Sequence, residues 1–410
     1  MSRLADLINE LCPDGVEYKP LGEVAELKRG SGMPKKMFTD AGIPAIHYGH
    51  IYTKYGIYTK VAAAYVDKAN SQKLALVYPG DLVVANTSEN LEDVGKAVTW
   101  LGESVAVTGG HATVVRSSVM NTVFLSYYFR TEEFSRKKQR YSRGTKVIEL
   151  SAVNLAKILI PVPPLEVQCE IVRILDQFTT LEAELEAELE ARRAQYEYYR
   201  NQLLSYDALA SRGPVEWVKL GEVASKIITG VTPKAADPKY YQDATNPWIR
   251  TQDVNFCRIN EASAFVTDQA VAELPLKWVS PHSVVVAISG ASAGRSAILN
   301  IRAVTNQHCC NIEINSKLAD FRYVYYCIAS CYEQLRNLGR GARGDLNVSI
   351  IKSFEIPLPA LDEQRYVADI LDRFDALVND ISSGLPAEIA ARRAQYEYYR
   401  DRLLSFPEKK

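Results

Sequence analysis

The chain has 410 residues, of which 47% are hydrophobic and 24% are charged, and its formal net charge is −1. This length exceeds one ordinary hydrophobic core and the composition excludes long disordered tracts, so we expect two domains. The near-neutral charge excludes nucleic-acid binding through bulk charge, which leaves a local basic face as the route to any such binding.

Neither a membrane span nor a targeting segment is predicted. No apolar run approaches the roughly 18 residues that cross a bilayer. The first predicted helix, residues 1–11, carries Arg3, Asp6 and Glu10 among its leucines and lacks the apolar stretch of a signal peptide. The seven cysteines form no Cys-x-x-Cys pair, so we interpret them as free thiols. We therefore expect a cytoplasmic protein that has no membrane contact and no metal site.

A long internal repeat organises the chain. Residues 191–200 (ARRAQYEYYR) return unchanged at 391–400, 200 positions later. The segment LGEVA also occurs twice, at Leu21 and at Leu220. Each half then ends in a proline-rich stretch followed by LEVQCEIVRILDQF or LDEQRYVADILDRF. Such a repeat indicates a duplicated structural unit.

Weaker similarities connect these segments. Short β-branched runs at 82–85 and 284–287 predict one buried strand in each half. After Leu165, apolar residues in steps of three and four predict a helix of about 42 residues, roughly 60 Å long. The corresponding second helix contains Gly384 and Pro386, which predict a break before the helix resumes at Ala387.

The order of domain, helix, domain and helix predicts an α+β chain. We expect two pseudo-twofold-related α/β domains separated by a long antiparallel two-helix coiled coil. The expected segments are 1–163 for an N-terminal helix with the first domain, 164–212 for a central spacer helix, 213–359 for the second domain, and 360–410 for a distal spacer helix. Such a molecule would match the local twofold of duplex DNA with two unlike domains.

The repeated helices, the LGEVA segments and the proline-rich exits resemble the specificity (S) subunits of type I restriction-modification systems. The resemblance covers nearly the whole chain. It implies two target-recognition domains that each read half of a bipartite, asymmetric target in double-stranded DNA. It also implies helices that dock two modification (adenine methyltransferase) subunits. The Leu-Glu-Ala-Glu tetrads that begin at Leu181 look like the short repeats that set the spacer, each ~6 Å long.

The resemblance further implies a chain with no catalytic residues and no cofactor of its own. S-adenosylmethionine would lie on the modification subunits, and ATP with Mg²⁺ on restriction subunits where these join the complex. Two alternatives remain open. The near-neutral charge suits a coiled-coil scaffold whose two domains bind proteins. Residues 290–294 fit the Gly-x-Ser-x-Gly pattern of a hydrolase around Ser292, although no Asp or Glu lies between Ser292 and His308, the one histidine downstream.

Sequence readout requires Arg, Lys, Asn, Gln or His side chains at base edges, while Lys and Arg neutralise phosphates. We expect these side chains in turns that follow the strands, where the two halves differ most. In the first half the predicted DNA contacts are Lys28, Arg29, Lys35, Lys36, His47, Tyr48, His50 and Lys54, with Arg140, Arg143 and Lys146 in a basic loop at 136–146. In the second half they are Thr232, Lys234, Arg250, Thr251, Gln252, Asp253, Asn306, Gln307, Arg340 and Arg343.

The repeated helix ARRAQYEYYR also predicts a docking surface, because tyrosine and arginine are enriched at protein interfaces. Packing between the two helices explains Tyr196 and Tyr396 equally well. The predicted partner contacts are Arg192, Tyr199, Arg200, Arg392, Tyr399 and Arg400.

Overall fold

The computed structural model describes residues 2–339, 345–380 and 383–409. The chain forms two compact units: unit 1 comprises residues 1–186 and 389–410, and unit 2 comprises residues 187–388. Both units combine sheets with helices, which confirms the predicted α+β class. No helix within the described ranges is long and apolar enough to cross a membrane.

The strands of unit 1 form two five-stranded sheets and two small ribbons. They are β1 (Tyr18–Pro20), β2 (Glu26–Arg29), β3 (Phe38–Thr39), β4 (Ile43–Ile46), β5 (Tyr58–Thr59), β6 (Tyr65–Val66), β7 (Ala75–Val77), β8 (Leu82–Ala85), β9 (Thr87–Ser88), β10 (Ala97–Trp100), β11 (Ala106–Thr108), β12 (Ala112–Arg116), β13 (Ile148–Glu149) and β14 (Leu159–Pro161). The two large sheets have the orders β2-β12-β8-β10-β5 and β3-β6-β4-β11-β7, and the ribbons are β1-β14 and β13-β9.

Local caps begin many helices of unit 1. The side chains of Asn121, Thr131 and Ser151, for example, each accept a hydrogen bond from a backbone N–H in the first turn of the helix that follows. The predicted N-terminal helix is confirmed, and Leu4 on its apolar face is buried. The helices are α1 (Ser2–Leu11), α2 (Leu21–Val24), α3 (Tyr48–Thr53), α4 (Lys68–Ser71), α5 (Thr122–Tyr128), α6 (Glu132–Tyr141), α7 (Ala152–Ala156) and α8 (Leu165–Leu203), of which α8 continues into unit 2.

The strands of unit 2 follow the same order as those of unit 1. Its strands are β15 (Val215–Lys219), β16 (Ala224–Thr229), β17 (Asn246–Ile249), β18 (Cys257–Ile259), β19 (Phe265–Val266), β20 (Ser283–Ala287), β21 (Ser296–Leu299), β22 (Val304–Thr305), β23 (Cys309–Ile314) and β24 (Glu355–Pro359). The order β16-β23-β20-β21-β18 corresponds strand by strand to β2-β12-β8-β10-β5, and β19-β17-β22 corresponds to β6-β4-β11. Strands β8 and β20 are fully buried, as the two β-branched runs predict.

The helices of unit 2 and the distal helix are α9 (Tyr206–Ala210), α10 (Leu220–Val223), α11 (Asp268–Glu273), α12 (Phe321–Ser330), α13 (Tyr332–Asn337), α14 (Val348–Ser353), α15 (Leu361–Asn379) and α16 (Leu385–Leu403). The predicted break in the second long helix is confirmed, although α16 begins two residues before Ala387. Helix α8 is 39 residues long rather than about 42, because Ser205 caps the separate α9 by accepting from the backbone N–H of Ala208.

Antiparallel helix pairs complete both units. In unit 1 the ring of Phe178 on α8 stacks on Tyr399 of α16, with centroids 5.7 Å apart. One turn further along α8, Glu182 pairs with Arg393, which lies earlier on α16. The residue numbers rise on one helix as they fall on the other, so these helices run antiparallel. In unit 2, Tyr199 of α8 stacks in the same way on Phe374 of α15. The predicted antiparallel coiled coil is confirmed.

The glutamine of the repeated LxxQ motif fastens each helix pair to its sheets. Gln364 accepts a hydrogen bond from the backbone N–H of Asp320 (2.9 Å) and donates one to the carbonyl of Pro359 (2.8 Å). Gln168 makes the corresponding two bonds in unit 1, and both side chains are buried. The repeat of this residue therefore has a structural cause: it satisfies backbone groups where the last strand meets the long helix.

The variant Gln364→Leu is expected to lower the free energy of unfolding of unit 2 by on the order of 2–4 kcal/mol, since each buried group left unpaired costs about 1–3 kcal/mol. Urea unfolding of the whole chain measures this loss. Gln139→Leu, at an exposed position on α6, is the control and should change the unfolding free energy by less than about 0.5 kcal/mol. Equal stability of the two variants would contradict the assigned role of Gln364.

Candidate nucleic-acid interface

The predicted reading residues of unit 1 lie where two parallel strands end side by side. Strands β4 and β11 are parallel, and Ile46 is in register with Thr108. The segment that starts at His47 therefore lies next to the turn 109–111. The prediction that His47, Tyr48, His50 and Lys54 follow a strand is confirmed. They belong to helix α3, with His47 as its N-cap and Lys54 as its C-cap, rather than to an open loop.

These residues form part of a continuous group of rings, which we call the ring cluster: Phe38, His47, Tyr48, His50 and His111. The ring of His47 lies 5.4 Å from Phe38, 4.5 Å from Tyr48 and 5.4 Å from His50, measured between centroids. The ring of Tyr48 lies 5.0 Å from His111. Tyr48 and His50 are half-buried, whereas His111 is exposed. The cluster therefore presents both ring surfaces and hydrogen-bonding nitrogens.

His47 lies beneath this surface. It is 6% exposed, and its Nδ1 accepts a hydrogen bond from the backbone N–H of Gly49 (3.1 Å), which caps α3. Burial, followed by the neighbouring charges of His50 and Lys35, lowers the pKa of His47 to about 4. The imidazole is consequently neutral at pH 7, and it holds α3 in place through its cap.

The predicted contacts Lys28, Arg29, Lys35, Lys36 and Lys54 are all exposed. Arg29 on β2 donates from Nε to the carbonyl of Gly110 (3.2 Å) and pairs with Glu149 on β13 (2.9 Å). Lys28 is exposed on the same strand, and Lys54 is exposed at the end of α3. The structure places Lys35 and Lys36 in an exposed 3₁₀ turn at Lys35–Met37.

The basic run 136–146 is only partly a loop, and the prediction of a loop throughout is wrong. Residues 136–141 belong to α6, because Thr131 caps that helix and Phe134 anchors it in the core. Lys138 is buried and donates to the carbonyls of Glu92 and Val94 (2.8 and 2.7 Å), and burial lowers the pKa of Lys138 to about 8. Local patterns missed this because Lys138 bonds to a segment over 40 residues away.

The three predicted contacts in that run, Arg140, Arg143 and Lys146, are exposed. Arg140 lies in the last turn of α6, and Arg143 and Lys146 lie in the turn that follows this helix, in which Gly144 has a φ of +115°. The turn leads into β13, which pairs with β9 (Thr87–Ser88). Thr87 in turn contacts His111 through Oγ1 and Nδ1 at 3.1 Å. The basic turn is therefore connected to His111 of the ring cluster through β13, β9 and Thr87.

Unit 2 presents the equivalent edge with different side chains. Strands β17 and β22 are parallel, with Ile249 in register with Thr305. Arg250 follows β17 and caps the 3₁₀ turn Thr251–Asp253. Asp253 shapes this turn, since its carboxylate accepts from the backbone N–H of Arg250 (2.8 Å) and from the hydroxyl of Ser263 (2.5 Å). Gln252 is exposed and Thr251 is half-buried.

A second group of polar residues follows β22. Asn306 is 8% exposed, and its Oδ1 accepts from the backbone N–H of His308 (3.1 Å). Gln307 is exposed, its Oε1 accepts from the hydroxyl of Thr232, and its Nε2 lies 3.2 Å from Nε2 of His308. Lys234 is exposed on the segment that contains Thr232. The predicted contacts Arg340 and Arg343 lie outside the described residues.

The predicted partner residues lie on the helix pairs. Tyr199 and Tyr399 stack on a phenylalanine of the facing helix, and Arg200 and Arg400 lie over the rings of Tyr196 and Tyr396, at 5.5 and 5.7 Å from the ring centroids. Arg192 pairs with Glu188 (3.4 Å), and Arg392 donates to Gln395 (3.3 Å).

Tyr198 and Tyr398 are absent from the sequence prediction. They are the most exposed tyrosines of the repeated helix, at 59% and 58%, and each meets its neighbouring tyrosine edge to face at 5.4 Å. The same repeated motif thus places one tyrosine inside the helix pair and leaves the next one open to solvent.

The sequence prediction also missed Phe38 and His111 in the ring cluster. Phe38 lies nine residues before His47, and His111 lies 64 residues after it. One signal was available: His111 and His308 occupy the same position in the two halves, in the segments TGGH and TNQH. Within the described ranges no three His, Cys, Asp or Glu side chains are placed to hold a metal ion, and Ser292 makes no hydrogen bond to His308.

The family model for the type I restriction modification DNA specificity domain matches the chain twice, at residues 13–191 and 213–391. The EcoR124I/EcoR124II specificity subunit from Escherichia coli is 36% identical over 269 residues, which is 63% of this chain and 65% of that relative. A putative type I specificity subunit, S.HindORF215P from Haemophilus influenzae, is 27% identical over 95% of this chain and 96% of its own.

Two solved structures share the fold. A chain from a structural study of complex assembly and conformational transition of the type I R-M system has a TM-score of 0.64 and 19% identity, and the match covers 96% of this chain and 98% of that one. The type I restriction-modification S subunit from M. genitalium has a TM-score of 0.55 and 13% identity, with 95% and 96% covered.

Proposed function

Because the chain belongs to the type I restriction-modification specificity subunits, we propose that each of its units reads one half of a bipartite, asymmetric DNA target. The chain itself is non-catalytic in this proposal. It directs the adenine methyltransferase of modification subunits, and the nuclease of restriction subunits where these join, to that target in the cytoplasm.

One observation carries the proposal: the two units have the same strand order but unlike side chains at the same edge. In unit 1 the ends of β4 and β11 present Tyr48 and His50 beside His111. In unit 2 the ends of β17 and β22 present Gln252 and Gln307 beside His308. Gln and His are suited to base edges, and rings are suited to stacking or to thymine methyl groups. A common frame with different side chains accounts for two different half-sites.

The charge distribution supports the same conclusion. The whole chain is nearly neutral, yet three exposed basic side chains lie by the ring cluster of unit 1. Arg29 donates to the carbonyl of Gly110 beside His111, and the charges of Lys35 and Lys54 act on His47 and His50 respectively. Phosphate contacts supply most of the affinity of DNA-binding proteins and do not depend on sequence. A local basic face of this kind is what a near-neutral DNA-binding chain requires. A protein-binding scaffold has no need of it.

The chemistry of the complex belongs to partner subunits in this proposal. S-adenosylmethionine binds to the modification subunits, and ATP with Mg²⁺ binds to the restriction subunits. Two modification subunits dock on the repeated helices, one for each copy of ARRAQYEYYR. Exposed tyrosines that are already held by a neighbouring ring suit this role, since little side-chain entropy is lost when they are buried.

The proposed function is tested by selecting randomised duplexes with the chain bound to its modification subunits. The expected result is a family of sequences with two conserved blocks that are separated by a gap of fixed length and random composition. Enrichment of a single block would refute the assignment of one half-site to each unit. Binding without any enrichment would favour the scaffold alternative.

The variants Tyr198→Ala and Tyr398→Ala are expected to remove one modification subunit each, and the double variant to remove both. Truncation of a central interface tyrosine costs about 2 kcal/mol or more, so the affinity at each site should fall at least ~30-fold. Native mass spectrometry of the complex counts the bound subunits. Phe265→Ala, which removes a 43% exposed ring from β19, should leave two subunits bound. Two bound subunits in the double variant would place the docking surface elsewhere.

A further inference from the structure

His111 and His308 occupy the same place in the two units. His111 follows β11 and His308 follows β22, the strands that lie parallel to β4 and β17. The carbonyl of His111 accepts a hydrogen bond from the backbone N–H of Asn86 (2.8 Å), and that of His308 accepts one from Ile288 (2.9 Å), each donor being the residue after the central strand β8 or β20. Both side chains are exposed. The shared strand arrangement therefore places one exposed histidine next to the ends of the parallel strands in each unit.

Each imidazole is held through one nitrogen only. In His111 this is Nδ1, which lies 3.1 Å from Oγ1 of Thr87. In His308 it is Nε2, which lies 3.2 Å from Nε2 of Gln307. The other nitrogen, Nε2 of His111 and Nδ1 of His308, has no hydrogen-bond partner in the part of the chain that the structure describes. A ring that is fixed at one nitrogen and open at the other is oriented for a ligand.

The residues that hold the two rings differ. Thr87 and the ring of Tyr48 adjoin His111, whereas two amides, Asn306 and Gln307, adjoin His308. A side chain that reads bases would be expected to change between units that read different sequences. A side chain that contacts the sugar-phosphate backbone would stay the same, because every base pair carries the same phosphates.

The segment that packs against each histidine turn is also similar in the two units. Gly30 and Gly230 pass so close to the turn before each histidine that a Cβ atom on them would lie 2.1 Å and 1.7 Å from a backbone carbonyl. A few residues later the same segments carry Lys35 and Lys234, both exposed. Each unit thus places a lysine and a histidine from equivalent positions near one edge, and a cation with an N–H hydrogen-bond donor is a combination suited to phosphate.

On the basis of the proposed function, we infer that His111 and His308 are equivalent anchors that each bind a phosphodiester oxygen beside their half-site. His111 donates through Nε2–H and His308 through Nδ1–H. In both cases the opposite nitrogen accepts from the neighbouring hydroxyl or amide. The repeated histidines contribute affinity without sequence preference, while the unlike residues around them select the bases.

The test uses the chain in complex with its modification subunits. His111→Ala and His308→Ala should each weaken binding to target and non-target duplexes alike, by roughly 10-fold, and leave the selected sequence unchanged. His111→Gln and His308→Asn should retain most of the affinity, because their amide nitrogens replace the donating Nε2 and Nδ1 respectively. Methylphosphonate substitution at single phosphates locates the contact: one position should weaken the wild type but not the matching alanine variant.

His282→Asn is the control, since it alters an exposed histidine outside the two edges, at a φ of +67° that Asn tolerates. It should bind DNA as the wild type does. An altered base preference in one block would make the histidines base readers and overturn the inference. Unchanged affinity of both alanine variants would overturn it as well. Failure of the proposed function is distinguishable, because the wild-type complex would then select no split sequence at all.

Discussion

Deletion of the tetrad at residues 185–188 is expected to shorten the gap between the two half-sites and to leave both half-sites unchanged. Four residues correspond to ~6 Å of helix, which is on the order of one to two base-pair steps at ~3.4 Å each. Methylation at targets of the original spacing should fall at least ~100-fold, because only one half-site is engaged at a time. Selection of randomised duplexes by the variant complex measures both the gap and the blocks.

The structure explains why the shortened helix should still pair. Arg393 on α16 contacts two glutamates of successive tetrads, Glu182 and Glu186. After the deletion Glu190 takes the place of Glu186, and Leu189 takes the place of Leu185, so the same contacts can form. The matched control, Glu184→Gln with Glu188→Gln, changes the charge of two tetrads without changing their length and should keep the original gap. An altered half-site in the deletion variant would refute the spacer role of the tetrads.

Replacement of Gln252 and Gln307 by Ala is expected to relax one half-site and to leave the other intact. Both amides are exposed at the edge formed by β17 and β22 in unit 2. Each bidentate contact to a base discriminates by about 1–3 kcal/mol, so each substitution should reduce the preference at its base pair by roughly 5- to 150-fold. Competition binding with duplexes that carry single base changes in either block gives these ratios.

The complementary variant is Tyr48→Ala in unit 1, which should affect only the other block. His47 is unsuitable for this comparison, because its substitution removes the cap of α3 and would disturb the whole edge. If Tyr48→Ala and the unit 2 variants relaxed the same block, the assignment of one unit to one half-site would be contradicted.

The repeat made much of the fold predictable. The copies of LGEVA, LxxQ and ARRAQYEYYR located two similar units, and Gly384 with Pro386 marked the break in the second long helix. The repeated Gln168 and Gln364 bind the backbone in the same way in both units, so sequence identity there reflects one buried set of hydrogen bonds. The sequence also placed the segment that begins at His47 after a strand, as the structure has it.

Contacts between distant segments were not predictable from local patterns. The ring cluster forms because β4 and β11 pair in parallel, which brings His111 beside Tyr48 across more than 60 residues. The basic run was predicted as a loop because a cluster of charged residues is normally exposed. Two buried residues, Lys138 within the run and Phe134 just before it, instead place α6 against the core. Likewise, the exposure of Tyr198 beside the stacked Tyr199 depends on which face of α8 meets α15.

The central claim is that this chain gives a modification complex a bipartite target. Its most direct test is a genome-wide map of methylated adenines in cells that express the chain with its modification subunits, compared with cells that express the modification subunits alone. Dual readout predicts adenines methylated within one asymmetric sequence of two blocks and a constant gap, and only when the chain is present. Methylation that follows no split sequence, or that is the same without the chain, would contradict the account.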